Sequence, residues 1–278
     1  MNLGMKSLIA AAVFTTLVGC NATESNSSQA VPSAIAKAVA SDNRAEKNRA
    51  RDQYRHPSET LAFFGIEPSM TVVEIAPGGG WYSEILAPLV KGQGTYYAAH
   101  FPADSDVGYY QRSLKGYKDK VATNPDYSEV KITEFAPVTH SNIAPQGSAD
   151  VVLTFRNVHN WYMGKGDEGV LSAFNAFNKA LKPGGILGVV EHRLPEHRQL
   201  EDQKSSGYMK QSYVVDIAKQ AGFELVASSD INANPLDSAN HPKGVWTLPP
   251  RLALGDEKAA QYKAIGESDR MTLKFKKL

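Results

Sequence analysis

Residues 71–80 read Thr-Val-Val-Glu-Ile-Ala-Pro-Gly-Gly-Gly and decide the fold. Their first five residues form a short β-branched run that is bounded by proline and glycine, which predicts a buried strand. Residues 81–90 then have helical character. In a doubly wound sheet the loop after such a strand passes beneath the ligand, because glycine lets the backbone approach closely and the helix N-terminus offers free N–H groups. The segment therefore predicts a ligand-binding loop.

Strand and helix patterns alternate beyond this loop. Strands are predicted at 94–99, 130–135, 149–155, 186–191, 223–227 and 271–275, helices at 169–181 and 212–221, a sharp turn at 182–185, and a long loop at 232–251. Strands separated by segments of helix length indicate βαβ units and a mostly parallel α/β sheet. The last two strands follow long irregular stretches, so we expect an antiparallel C-terminal edge.

The segment before residue 71 is predicted to be helical. Ala, Lys, Glu and Arg predominate over 34–55, which predicts one helix that Pro57 ends. A second short helix is expected from Pro57 through Phe64, with Gly65 ending it.

The first twenty residues resemble a bacterial lipoprotein signal. A short region with one positive charge precedes an apolar run at 7–18, which ends Leu-Val-Gly-Cys at 17–20. The resemblance implies lipidation of Cys20, with 1–19 as signal peptide, 20–33 as flexible tether and 34–278 as the folded domain. An ordinary signal peptide with an incidental cysteine is the alternative. Asn21 in place of aspartate favours a lipid-anchored protein of the outer membrane, facing the periplasm of the bacterial cell envelope.

Composition excludes several classes. Of the 278 residues, 42% are hydrophobic, so we expect a packed core. The formal net charge is only +1, so we expect no nucleic-acid partner. Cys20 is the only cysteine, so no internal disulfide can form. The seven histidines show no close ligand spacing, and we expect no dedicated metal site.

Three segments resemble the motifs of class I S-adenosylmethionine (SAM) methyltransferases. Residues 73–80 resemble the first motif, acid-x-Gly-x-Gly-x-Gly, with Ala76 in place of the first glycine. Residues 150–157 resemble the fourth motif. Residues 181–187, Leu-Lys-Pro-Gly-Gly-Ile-Leu, are similar to the turn before strand five and are the most specific match. The resemblance spans about 61–278, and it implies a doubly wound, mostly parallel seven-stranded Rossmann-like methyltransferase fold, with SAM as cofactor and a small-molecule or envelope substrate.

The resemblance also implies which residues bind the cofactor. Gly78 and Gly80 would lie under the methionine part of SAM. Glu74 has two open roles, orienting the loop or the ammonium group, or acting as a hydrogen-bond anchor. The full set implied is Glu74, Ala76, Pro77, Gly78, Gly79, Gly80, Tyr82 and His100.

His100 is a departure from the family pattern. The family usually has an acid at the end of strand two that accepts both ribose hydroxyls. A neutral imidazole accepts only one hydrogen bond. Asp104 or Asp106 could substitute from the following loop, and His100 could instead be a surface residue at the strand end.

Residues 155–162 are expected to form a loop at the wall of the pocket, since they follow a predicted strand end. His159 is the candidate general base, and Arg156 and Asn157 complete the candidate catalytic set. His159 could alternatively bind a backbone carbonyl and hold the loop. Trp161 is expected to pack rather than to stack on substrate. Residues 191–193 are further candidates at the rim, where they could contact substrate or be ordinary solvated charges. An N-terminal helical lid would contribute Arg51, Tyr54, Arg55 and His56.

These expectations combine into a SAM-dependent methyltransferase carried by an exported lipoprotein. The alternative is a non-catalytic periplasmic binding lipoprotein that keeps the fold, and His100 favours it. A third reading is a different enzyme on the same scaffold.

Overall fold

The computed structural model describes Met1 and residues 32–278. The signal peptide, Cys20 and most of the tether lie outside the described residues and stay predictions. Among the helices that the model describes, none is both long and apolar enough to cross a membrane.

Within residues 32–70, four short helices precede the sheet. They are α1 (Ser33–Val39), α2 (Glu46–Arg49), α3 (Asp52–Arg55) and α4 (Pro57–Phe64). The prediction of one helix over 34–55 was wrong, because a turn at 40–44 interrupts it and buries the Arg44 side chain, which binds Asp52 at 2.7 Å. The predicted second helix is present and ends at Gly65, whose φ of 77° suits glycine.

The remaining elements include every predicted strand, and also two short strands that were not predicted, at 209–210 and at 242–245 within the segment predicted as a long loop. In chain order these elements are β1 (Thr71–Ile75), α5 (Ser83–Val90), β2 (Thr95–His100), α6 (Gly108–Thr123), β3 (Lys131–Glu134), β4 (Ala149–Phe155), α7 (Val158–Ala180), β5 (Leu181–Leu194), α8 (Gln203–Ser206), β6 (Met209–Lys210), α9 (Gln211–Gln220), β7 (Phe223–Ser229), β8 (Pro242–Val245), α10 (Ala259–Ile265) and β9 (Arg270–Lys277). The turn predicted at 182–185 is an excursion within β5, where the pairing with β4 jumps from Leu181 to Ile186.

One sheet organises the molecule. The seven predicted strands form one path in the order β3-β2-β1-β4-β5-β9-β7, and β6 pairs with β5 as an eighth strand. The strands from β3 to β5 are parallel. The antiparallel pairing expected of the C-terminal strands is present, because β9 runs antiparallel to both β5 and β7. The edge strand β7 therefore runs in the same direction as β5.

Helices cover both faces of the sheet, because its central strands are apolar on both sides. In β1, Val72 packs with the N-terminal helices and α5, whereas its neighbour Val73 packs with α7 and α9. In β4, Val151 and Val152 divide in the same way. Two apolar layers therefore fix the sheet from either side.

Two helical segments differ from the sequence predictions. Helix α6 was left unassigned, and it buries only Leu114 and Tyr117, so its apolar stripe is narrow. Residues 158–162, predicted as loop, are the first turns of α7, which reaches Ala180 past a non-helical residue at Gly166.

The strand order places the site. Going along the sheet, chain order reverses between β1 and β4, which are hydrogen-bonded neighbours. A crevice opens at such a switch point, outside the carboxyl ends of the strands, and ligands of open α/β sheets bind there. Residues that follow β1, β2 and β4 therefore face one another.

Candidate functional site

A cleft of about 1330 Å³ lies at this switch point. Its floor is the loop after β1, and its walls come from the segments after β2 and β4 and from the N-terminal helices. The residues that line it include Ala76, Gly78, Asp104, Tyr110, Arg156 and His159. Of the predicted set, Pro77, Gly79 and Asn157 also line it, whereas Glu74, Gly80, Tyr82 and His100 do not.

The loop after β1 depends on a left-handed backbone. Ala76, Gly78 and Gly80 have φ values of 46°, 58° and 78°. A side chain at Gly78 would meet no atom within 4 Å, whereas one at Gly80 would lie 3.1 Å from the Tyr117 ring. Gly78 is thus open toward the cleft, and Gly80 is needed for packing between the loop and α6.

Glu74 is an internal anchor. It is 3% exposed, and its carboxylate accepts hydrogen bonds from the Ser83 hydroxyl at 2.8 Å and from the Tyr96 hydroxyl. Burial raises the pKa of Glu74 to about 7. Of the two roles left open by the sequence, this geometry corresponds to the anchor, since the side chain ties β1 to β2 and to the start of α5.

Tyr82 also lies behind the cleft. Its ring stacks on Phe155 with centroids 3.6 Å apart, and its hydroxyl donates to the carbonyl of Arg55 at 3.4 Å. Tyr82 therefore joins the floor of the cleft to its N-terminal wall from beneath, and its predicted direct contact with the cofactor is corrected to a supporting one.

His100 is neither a surface residue nor a free ribose ligand. It is fully buried, and its Nδ1 accepts from the Phe101 N–H at 2.8 Å. Because Nδ1 accepts, the ring proton is on Nε2, which donates to the Gly78 carbonyl at 3.1 Å. Burial lowers the pKa of His100, which keeps the ring neutral. His100 thus holds the glycine loop and has no ring nitrogen left for a ligand.

The segment after β2 supplies the groups that His100 does not. Asp104 and Asp106 both line the cleft. Next to them the rings of Phe101 and Tyr110 stack with centroids 4.0 Å apart. This side of the cleft therefore combines aromatic faces with carboxylate acceptors.

The end of β4 carries the predicted catalytic set. Arg156 has φ 61°, a conformation that side chains rarely adopt. The Asn157 amide donates to the Ile75 carbonyl at 3.0 Å and so links β4 to the end of β1. Trp161 packs against Phe135 with centroids 5.5 Å apart, in agreement with the expected packing role.

His159 is oriented by a carboxylate that the sequence did not assign to it. Its Nδ1 lies 2.9 Å from Glu191, which is fully buried at the end of β5. The same carboxylate accepts from the backbone N–H groups of Val158 and His159 at 2.6 and 3.3 Å. Glu191 therefore caps the N-terminus of α7 and fixes the His159 ring in one step. Neither the carbonyl partner nor the solvated role that the sequence suggested is present.

The structure also brings three potential metal ligands together. One ligand atom each of His159, Glu191 and His192 lies within 4.8 Å of the others. Sequence spacing could not show this, because 32 residues separate His159 from Glu191. Both Glu191 oxygens already accept N–H donors, and His192 Nδ1 lies 2.5 Å from the Ser268 hydroxyl. The hydrogen bonding of the three therefore fits a positioning role.

Lys120 and Trp246 are two of the lining residues that the sequence analysis missed. Lys120 on α6 donates to the Gly79 carbonyl at 2.9 Å and pairs with Glu84 at 3.0 Å. The Trp246 ring lies 6.1 Å from the His159 ring, and it comes from the segment predicted as a long loop. Loops of that length often cover a site, and this length was the one sequence feature that could have pointed to Trp246.

Comparison with solved structures identifies the architecture. A SAM-dependent methyltransferase from Aquifex aeolicus superposes with a TM-score of 0.53 at 13% identity, over 82% of this chain and 93% of that one. An O-methyltransferase family protein from Burkholderia thailandensis gives 0.50 at 13%, over 83% and 58%. The [4+2]-cyclase SpnF gives 0.53 at 16%, over 86% and 85%.

Neither a protein-family profile nor a curated protein sequence matches this chain. The superpositions establish a common fold, whereas sequence identities of 13–16% do not establish a common reaction.

Proposed function

We propose that this chain, which has the fold of class I SAM-dependent methyltransferases, transfers a methyl group from SAM to a small molecule bound in the cleft. One observation carries the proposal. The open glycine loop after β1 and His159 after β4 line the same cleft at the switch point of the sheet, and the buried Glu191 of β5 orients the His159 ring from behind. The cleft therefore contains both a loop suited to bind the cofactor and an oriented general base.

The residues present fit SAM in three respects. Gly78 leaves open space where the backbone must approach a ligand. Asp104 and Asp106 can accept the ribose hydroxyls in place of His100. The rings of Phe101 and Tyr110 offer faces for an adenine or for a sulfonium charge. When bound, SAM would supply an electrophilic methyl group.

His159 is proposed as the general base. Glu191 accepts from Nδ1, so the proton is fixed on that nitrogen and Nε2 is left as the acceptor. No hydrogen bond joins Nε2 to any of the described residues. Nε2 can therefore take the proton from a hydroxyl or amine as that group attacks, while the Glu191 carboxylate stabilises the imidazolium that forms. Asn157 holds the ends of β1 and β4 together during this step.

A non-catalytic binding lipoprotein is the second candidate. The observation that favours it is His100, which replaces the expected acid and binds only backbone. The fold similarity to the [4+2]-cyclase SpnF also supports caution, since one fold can carry different functions.

We also propose export and lipid anchoring, on the sequence evidence alone. If Cys20 is acylated, Cys20→Ser abolishes labelling of the chain by a palmitate analogue in growing bacteria and moves it out of the membrane fraction. Equal labelling of both forms would contradict the assignment.

Cofactor binding is the first test. The full chain in detergent is titrated calorimetrically with SAM and with S-adenosylhomocysteine. We expect micromolar binding that Gly78→Arg abolishes, because the new side chain fills the open space above the loop. Gly116→Arg is the matched control, since it lies exposed on α6 with open space around it. Absence of binding at millimolar ligand would leave the binding lipoprotein as the better account.

A further inference from the structure

Four arginines meet one carboxylate beside the cleft. Arg51, Arg55, Arg156 and Arg270 form this arginine cluster, and Glu267 is its acid. Glu267 lies 2.6 Å from Arg51 Nε and 3.4 Å from Arg55 Nε, and it is also paired with Arg270. Glu267 is the only carboxylate among the main charges that act on Arg55 or Arg156. The cluster therefore carries a formal excess of three positive charges.

Two of these charges are buried, and three of the four arginines have buried donors left over. Arg55 is 3% exposed and Arg270 is 2% exposed. Within residues 32–278, Arg55 Nη1, Arg51 Nη2 and Arg270 Nε are buried without a hydrogen-bond partner. Buried charges are normally paired, because desolvation without compensation is costly. Such a surplus has no structural explanation within the described residues.

The electrostatics agree with a shortage of negative charge. Burial and repulsion from Arg270 lower the pKa of Arg156 to about 10. Burial and repulsion from Arg156 hold the pKa of Arg55 well below its ordinary value, although Glu267 acts in the opposite direction. An added anion would relieve both effects.

Three of the four arginines line the cleft, namely Arg51, Arg55 and Arg156, whereas Arg270 does not. The Arg55 guanidinium is held over the Trp81 ring, 4.6 Å from its centroid. The Arg156 side chain starts from a strained backbone, and strain of this kind is retained where a side chain must be aimed at a particular point. The arrangement is preorganised for an oxyanion such as a carboxylate or a phosphate, which guanidinium groups bind through paired hydrogen bonds.

We infer that the arginine cluster binds a carboxylate or phosphate group of the methyl acceptor, so that the substrate of this cleft is an anion. The inference names the substrate class and, to that extent, rests on the proposed function. His192, whose ring is 5.2 Å from the ring of His159, is among the groups that Arg270, Arg156 and Arg55 act on. The cluster thus lies on the side of the proposed base, where the acceptor must be.

The carboxylate of SAM is a second source of the same chemistry, and the experiment separates the two. The full chain and its Arg156→Gln variant are titrated with inorganic phosphate and with succinate at constant ionic strength. Both are then titrated with S-adenosylhomocysteine and with methylthioadenosine, which lacks the amino-acid carboxylate. Arg112→Gln on α6, an exposed arginine, is the control.

We expect millimolar binding of at least one oxyanion, weakened tenfold or more by Arg156→Gln and unchanged by the control. Binding of both nucleosides should change less than threefold. A loss confined to S-adenosylhomocysteine would assign the cluster to the cofactor and overturn the inference, and so would oxyanion binding that the variant leaves intact. If neither nucleoside binds while the oxyanion result holds, the proposed function fails and the anion site stands.

Stability gives a second readout. Arg156→Gln removes one of the uncompensated charges, so its melting temperature in chloride should equal or exceed that of the unmodified chain. Added phosphate should raise the melting temperature of the unmodified chain and leave that of the variant unchanged. Marked destabilisation by Arg156→Gln would show that the charge serves the fold, and it would contradict a ligand role.

Discussion

Ala76 holds a backbone conformation that residues with a side chain disfavour. Its φ is 46°, and it occupies the position of the first glycine in the methyltransferase motif that residues 73–80 resemble. A non-glycine residue in the left-handed region costs about 1–2 kcal/mol, and the entropy of glycine offsets roughly half of that. We expect Ala76→Gly to raise the free energy of unfolding by about 0.5 kcal/mol in urea denaturation, with the affinity for S-adenosylhomocysteine changed less than threefold.

Ala122→Gly is the matched control for this effect, because Ala122 is an exposed helical residue of α6. There glycine has no strain to relieve and should lower the free energy of unfolding by about 0.5–1 kcal/mol. Equal losses from both substitutions would show that Ala76 is not strained.

Glu74 gives the fold a pH dependence. Burial raises its pKa from 4.5 to about 7, so folding favours the protonated carboxyl. The stability from this group is complete below pH 4.5 and is lost as pH rises through 7, a change of about 3 kcal/mol at most. Glu74→Gln has no such proton, so its stability relative to the unmodified chain should improve between pH 5 and pH 8 in urea denaturation. A constant difference between the two proteins at both pH values would refute the assignment.

For single residues, the sequence predicted where the binding loop lies better than it predicted the partners of the side chains around it. The loop at 76–79 was located correctly because strand and helix patterns flank it. The role of His100 was not foreseen, because its two partners, the Gly78 carbonyl and the Phe101 N–H, are backbone groups that no side-chain pattern encodes. Glu191 was assigned to the rim for a similar reason, since its partner His159 is distant in the chain.

Helix α7 depends on Glu191 at its first turn. The carboxylate accepts two backbone N–H groups of α7 and the His159 ring. Glu191→Gln keeps one acceptor oxygen, but it removes the charge and turns an amide toward N–H donors. We expect the free energy of unfolding to fall by about 1–3 kcal/mol. Methyl transfer to any accepted substrate should fall about 100-fold or more through kcat, because His159 loses its orientation.

Two measurements separate these effects. Glu201→Gln changes an exposed carboxylate and should alter neither quantity. If Glu191→Gln lowers stability while kcat is retained, the carboxylate only caps the helix, and His159 is not the base.

At the level of elements, the seven strands of the main sheet path were predictable, whereas the short β6 and β8 and some helices were not. The central strands have continuous apolar runs, such as 151–153 in β4. Helix α6 buries two residues in sixteen, so it offers almost no period to detect. The first turns of α7 do carry apolar residues at 158, 161 and 162, but glycines at 164 and 166 and the position after a strand end favoured a loop.

At the scale of the whole molecule, the N-terminal helices belong to the same folding unit as the sheet. Ile35 of α1 is fully buried in the apolar layer that contains α5 and Val72. We expect Ile35→Ala to lower the free energy of unfolding by about 2–4 kcal/mol in a single transition. Leu236→Ala, at a side chain that is 65% exposed, should change it by less than about 0.5 kcal/mol. A separate early transition, with the main one unmoved, would show that α1 unfolds independently.

The position of β9 has a consequence for biosynthesis. This strand follows every other described strand in the chain, yet it lies between β5 and β7 in the sheet. Until residues 270–277 have emerged, two hydrogen-bonding edges therefore face an unfilled gap, and unpaired edges of this kind readily recruit other chains. The sheet therefore cannot close before residues 270–277 are made, and until then its two open edges are sites at which a holding chaperone would bind.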